Sequence, residues 1–92
     1  MSVKVRFFAR FRELLGTDLI TEYRQGTVLL ALVHDIAGKN PDGYNAMFDE
    51  KGNFRDFVIV MQNGRRIDTM NAGNIAISDG DEIAVFPPVA GG

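Results

Sequence analysis

The order of elements predicts an α+β domain, with a mixed five-stranded sheet and one main helix packed across it. Three observations lead there. Val3-Lys4-Val5-Arg6-Phe7-Phe8 and Glu82-Ile83-Ala84-Val85-Phe86 carry their apolar residues with the period of two that marks strands. Between them, Leu29, Leu32, Val33 and Ile36 fall at i, i+3, i+4 and i+7, the apolar stripe of one amphipathic helix. Asn63-Gly64 and Asp79-Gly80-Asp81 mark tight turns in the second half of the chain. Strand, strand, helix, strand, strand, strand is the order of a roll, not of a doubly wound sheet.

In the first strand Val3, Val5 and Phe7 face one way, and Lys4, Arg6 and Phe8 the other. Phe8 is the exception on a charged face. Ala9 to Leu15 reads as a short helical turn on Phe11, Leu14 and Leu15, closed by Gly16. Asp18 to Arg24 reads as a second strand, paired with the first in a hairpin-like way. Gln25-Gly26 breaks it. Thr27 is the expected N-cap of a helix running from Val28 to Ala37. Gly38 and Pro41 stop that helix, and His34 and Asp35 fall off its apolar stripe, as solvated surface.

Asn40 to Asp56 is the least regular part. Tyr44, Ala46, Met47 and Phe48 suggest one helical turn, and Asp49 to Asn53 a polar loop without the spacing of a Ca²⁺ site. Phe57 to Gln62 is an apolar strand, Arg65 to Asp68 its return, and Thr69 to Ile77 a loop anchored by Met70, Ile75 and Ile77. The last strand ends at two prolines, which cannot continue a ladder. The expected division is a domain over 1–86 and a flexible tail over 87–92, Pro87-Pro88-Val89-Ala90-Gly91-Gly92. Glycines at the end make that tail thin enough for a slot that admits backbone alone. A sheet with one helix across it, and with its first and last strands side by side at the centre, is a β-grasp.

Bulk properties narrow the function. Ninety-two residues allow one small domain, and 46% hydrophobic residues suffice for an ordinary core. A net charge of −2 with mixed signs argues against nucleic acid and against a polybasic membrane contact. Neither a membrane-spanning stretch nor a signal peptide is read, so the expected location is the cytoplasm. With no cysteine and a lone histidine, thiol nucleophiles, thiolate metal sites and disulfides are out of reach. No P-loop, GxGxxG or GxSxG occurs. The group left for covalent chemistry is the C-terminal carboxylate.

Phe7-Phe8-Ala9, Arg12-Glu13 and Gly16 resemble the opening of the small subunit of molybdopterin synthase (the MoaD family). Gly80-Asp81-Glu82 running into Phe86-Pro87-Pro88-Val89-Ala90-Gly91-Gly92 resembles its end. Thr27-Val28 and Asn63-Gly64 fit as well, so the likeness spans nearly the whole chain. The resemblance implies a ubiquitin-like β-grasp sulfur carrier. Its terminal glycine, here Gly92, would be adenylated by an E1-like enzyme of the MoeB type that uses ATP. The acyl-adenylate would become a thiocarboxylate and enter a large synthase subunit of the MoaE type, giving sulfur to molybdopterin. Gly91 would keep the tail thin. Such a chain is the non-catalytic carrier of a synthase complex and binds no cofactor itself. The segment from Gly38 to Phe57 is longer than in compact members, as in archaeal-type relatives. Two other readings share the residues: a ubiquitin-like modifier joined to lysines through Gly92, and a non-covalent adaptor.

If the first and last strands are neighbours, Phe8 and Phe86 share the outer face, while Val5, Phe7, Ile83 and Val85 face the helix. Placing Val58, Val60 and Gln62 inward leaves Ile59 and Met61 beside the two phenylalanines. The expected partner-binding set is therefore Phe8, Arg12, Ile59, Met61 and Phe86, continued by Pro87, Pro88, Val89 and Ala90, with Lys4, Arg6 and Arg12 as a polar rim.

Overall fold

A computed structural model describes residues 1–16 and 18–87. The tail residues expected to act, Pro88, Val89, Ala90, Gly91 and Gly92, lie outside the described residues. In chain order the elements are β1 (Ser2–Phe7), α1 (Ala9–Leu15), β2 (Leu19–Glu22), α2 (Leu29–Ala37) and α3 (Pro41–Met47). After them come β3 (Ile59–Gln62), β4 (Arg65–Arg66), a 3-10 helix (Thr69–Asn74) and β5 (Glu82–Phe86).

The strands form one sheet in the order β2-β1-β5-β3-β4. β1 and β5 run parallel, with Val5 opposite Ile83 and Phe7 opposite Val85. β5 runs antiparallel to β3, with Val60 opposite Val85 and Ile59 opposite Phe86. The expected central pairing of first and last strands is therefore present. Alternation sends Val5, Phe7, Val60, Ile83 and Val85 to the inner face, where each is 0% exposed. Leu29, Leu32 and Val33 of α2 are buried in the same core. Each such side chain contributes roughly 1.5–3 kcal/mol relative to exposure. The expected sheet is observed, but three α-helices accompany it rather than one helix and two turns.

Several local expectations need correction. α2 starts at Leu29, and its N-cap is Val28, which offers no side-chain bond. Val28 is held extended by a bridge to Ala76, and the Leu29 amide donates to the Ile75 carbonyl at 2.8 Å. A backbone carbonyl thus does what a cap side chain would do. The Thr27 hydroxyl turns back and donates to the Arg24 carbonyl.

The segment 38–57 is more ordered than its composition suggests. Asn40 caps α3, its Oδ1 accepting from the amides of Asp42 and Gly43, with Pro41 in the first turn. Proline there is favourable, because its missing N–H would have no helical partner. The Asn40 side-chain amide donates to the Leu14 carbonyl and ties α3 to α1. A Cβ on Gly43 would come within 2.7 Å of Leu15, so glycine lets these helices touch. Phe48 and Phe54 form a bridge around a turn in which the Asp49 carboxylate accepts from the Lys51 and Asn53 amides. His34 is half-buried rather than solvated. Its ring meets Phe48 edge-on at 4.3 Å, and its Nε2 lies 2.6 Å from the Gly52 carbonyl. That oxygen can only accept, so Nε2 carries the proton.

β3 begins at Ile59, not Phe57. The Val58 amide donates to the Arg55 carbonyl and closes a turn that leaves Phe57 72% exposed. β4 is two residues long. Met70 is 79% exposed and anchors nothing; Ala72 and Ile77 are the buried residues of that connection.

Candidate carrier face and the exit of the tail

The site is built on β5, because the chain leaves the sheet directly after Phe86. Flanked by β1 and β3, this strand is held on both edges. The Phe8 amide donates to the Val85 carbonyl at 3.2 Å, which carries the β1–β5 ladder one residue past the end of β1. Phe8 is also the N-cap of α1, so the chain turns there from strand to helix. Ala9 makes that turn with φ 51°, the left-handed region that non-glycine residues seldom adopt.

The turn places the Phe8 ring against Phe86. The two are stacked, with centroids 4.3 Å apart and planes 13° from parallel. Opposite Phe86 in register is Ile59. One row toward the other end, Arg6, Ala84 and Met61 stand side by side, and Arg66 lies opposite Met61 at the edge. Phe8, Phe86, Ile59 and Met61 are all half-buried, so the expected outer face exists as one surface. Pro87 follows it, also half-buried. Small Ala84 sits in the middle of this face.

Arg6 ties the patch to its charged border. Its Nε donates to Asp18 at 2.8 Å and its Nη1 to Glu82 at 3.2 Å, while its guanidinium lies 5.5 Å from the centre of the Phe8 ring. The bonds to Glu82 and Asp18 raise its pKa further above the ordinary arginine value. Lys4 pairs in register with Glu82 and is exposed. Arg12 is exposed in the last turn of α1, and its backbone amide donates to the Phe8 carbonyl at 3.3 Å. Arg66 was missed by the sequence reading. Its signal was the two-residue turn, which puts Met61 and Arg66 in register.

A second arrangement fixes the far end of β5. Asp81 is buried, and its carboxylate accepts from Gln62, Asn63 and the Ser78 amide at 3.0, 2.8 and 2.8 Å. Asn63 Oδ1 accepts in turn from the Glu82 amide. Burial alone pushes the Asp81 pKa up, but the bonds from Asn63, Ser78 and Gln62 outweigh it and hold the carboxyl below its usual value. The Asn63-Gly64 turn is thereby locked to the start of β5. Gln62, expected to point inward, is half-buried and serves this network. Among the described residues no group of three or more His, Asp or Glu could hold a metal ion.

The sequence model of the ThiS family matches residues 5–92. The chain belongs to the ThiS family. Relatives cover all or nearly all of it. Small archaeal modifier protein 3 of Haloferax volcanii is 36% identical over 97 residues, covering 100% of both chains. The molybdopterin synthase sulfur carrier subunit of Aedes aegypti is 33% identical over 96 residues, covering 98% of this chain and 88% of the relative. A crystal structure of small archaeal modifier protein 1 from Haloferax volcanii superimposes with a TM-score of 0.85 at 27% identity, covering 100% of each. This ThiS-family chain is thus a ubiquitin-like β-grasp protein of the sulfur carrier and modifier class, with homologues among molybdopterin synthase subunits. No described helix is long and apolar enough to cross a membrane.

Proposed function

We propose that this chain carries sulfur on the Gly92 carboxylate and donates it to molybdopterin as the small subunit of a molybdopterin synthase. The observation that carries the reading is the ThiS-family match over residues 5–92, which runs through the residues after β5 to Gly92. A carboxylate is ionised at neutral pH and a poor electrophile. One Gly92 oxygen would attack the α-phosphorus of ATP and release pyrophosphate. A sulfur nucleophile would then displace AMP at the carbonyl carbon and leave a thiocarboxylate. An E1-like partner, in the cytoplasm where ATP is available, supplies the charge stabilisation for these steps. This chain presents the tail, and the Phe8–Phe86 face with Ile59 and Met61 is the surface by which both the activating enzyme and the large synthase subunit hold it.

Intact-mass measurement of the native, untagged protein tests this. A species with sulfur in place of one oxygen is expected after incubation with an activating enzyme, ATP and a sulfur donor. A mass unchanged under those conditions overturns the reading. A second reading, conjugation to lysines, is favoured by the end-to-end match to an archaeal modifier protein. It predicts Gly92–lysine isopeptide bonds in digests of cell protein, which a carrier alone would not form.

A further inference from the structure

The two edges of the sheet are treated differently. β4 is only two residues long, and both are exposed arginines, a common device against unwanted strand pairing. β2 forms the other edge with Leu19-Ile20-Thr21-Glu22 and has no proline, no lysine and no arginine. Ile20 on this strand is 71% exposed.

The hydrogen-bond alternation shows which groups of β2 are open. The Lys4 amide donates to the Asp81 carbonyl and the Gly80 amide to the Ser2 carbonyl, so Ser2 and Lys4 turn their backbone toward β5. Val3 and Val5 therefore turn theirs toward β2, onto their register partners Thr21 and Leu19. The Tyr23 amide, donating to the Met1 carbonyl, continues the same alternation. Ile20 and Glu22 are left with N–H and C=O groups directed away from the sheet.

We propose that β2 pairs antiparallel with β2 of a second copy of this chain, making one sheet across a two-fold axis. Charge selects the register. Pairing Ile20 with Ile20 of the second copy sets Asp18 against Glu22. Pairing Glu22 with Glu22 sets like charges directly opposite. The remaining close register places Ile20 opposite Glu22, Thr21 opposite Thr21 and Asp18 opposite Arg24. In it the two open residues of each strand exchange backbone bonds with the open residues of the other. Asp18, which already accepts from Arg6 at 2.8 Å, then lies between Arg6 and Arg24, and among the described residues Arg24 makes no ion pair within its own chain. On the helix side, a groove lined by Leu14, Leu15, Leu19, Ile36 and Lys39 runs beside β2. The same groove of the second copy comes to lie next to it, so apolar surface is covered along with the backbone. A two-fold axis normal to the sheet keeps both outer faces on one side, where the Phe8–Phe86 surfaces of both copies stay accessible.

The chain has no cysteine, so single-cysteine variants report the register directly. In the selected register Thr21 faces its own copy as a non-hydrogen-bonded pair, with Cα atoms about 4.5 Å apart, within disulfide reach. Under mild oxidation, Thr21→Cys is expected to form covalent dimer at least about tenfold faster than Ile20→Cys. Equal rates, or no dimer from Thr21→Cys, would overturn the proposal. If Thr21→Cys does not fold, sedimentation equilibrium of the unaltered protein and of Ile20→Glu decides instead. The unaltered chain should dimerise at high concentration, and Ile20→Glu, which sets Glu against Glu22, should weaken that roughly tenfold. A monomer throughout, or a dimer that Ile20→Glu leaves unchanged, would equally reject it.

Discussion

Phe8 and Phe86, 78 residues apart in the chain, stack ring on ring at 4.3 Å at the point where β5 ends. Both rings stay half-exposed, so their stacking shapes a surface more than it fills a core. Phe86→Ala should weaken binding to an activating enzyme or synthase subunit by about 1–2 kcal/mol, as for an interface anchor. Its effect on melting should be smaller than that of Val85→Ala, because Val85 is 0% exposed. Paired titrations and melts of the two variants check this. Unchanged binding by Phe86→Ala would remove the face from the mechanism.

Deleting Gly92 should abolish sulfur loading and leave the melting temperature where it was, because the last described strand ends at Phe86. Gly91→Val should slow loading or transfer for a different reason. Its branched side chain both widens and stiffens the tail. Loading is read by intact mass: normal loading after deletion of Gly92 would overturn the carrier reading, and normal loading of Gly91→Val would count against a narrow channel in the partner.

Asp81→Ala should cost about 1–3 kcal/mol, since Asn63, Gln62 and the Ser78 amide would lose their shared acceptor. The same carboxylate sets an acid limit. Its pKa is lowered in the fold, so its stabilisation is present above the unfolded value of about 3.9 and is lost as pH falls through the lower folded value. Denaturant titrations from neutral pH to below that range should show Asp81→Asn with a shallower acid loss than the unaltered chain. Parallel acid limbs would refute the assignment.

His34→Ala should destabilise the protein by about 1–2 kcal/mol through lost aromatic contact and the lost bond to Gly52. The effect should be local first. Amides at Asp49 to Asn53 should exchange faster, while those of β1 and β5 keep their protection. Uniform loss of protection would show that the segment has no separate stability.

Ala9→Gly should stabilise by up to about 1 kcal/mol, because φ 51° strains a residue with a Cβ and suits one without. Chemical denaturation measures it. A loss of stability would mean that the greater freedom of glycine in the unfolded chain outweighs the relieved strain.

The central strands and the faces of their residues were legible from sequence, because period-two patterning registers burial directly. Val5, Phe7, Ile83 and Val85 point inward as expected, and Phe8 with Phe86 outward. What escaped depends on partners distant in sequence. Val28 caps its helix through Ala76 and Ile75, and His34 is covered by Phe48 and Gly52. Pro41 read as a stop to the preceding helix, yet it opens α3, where Gly43 lets the helix approach Leu15. Phe57 and Met70 are large and apolar but exposed, which pattern alone does not reveal. The face around Phe86 was legible; Arg66 and the Asp81 network were not, because both arise from register across the Asn63-Gly64 turn.

The parallel pairing of β1 with β5 also orders events during synthesis. Ser2–Phe7 emerges first, and until Glu82–Phe86 has been made β1 has only β2 beside it. The backbone edge of β1 that faces away from β2 is paired only when that late strand arrives between β1 and β3. On the ribosome the nascent chain therefore passes most of its translation without a closed sheet, exposed to chaperones and to strand pairing with neighbours. Gly91 and Gly92 follow within a few residues of the strand that completes the sheet. In the proposed carrier, the translation step that makes folding possible is thus nearly the same one that makes Gly92 available for activation.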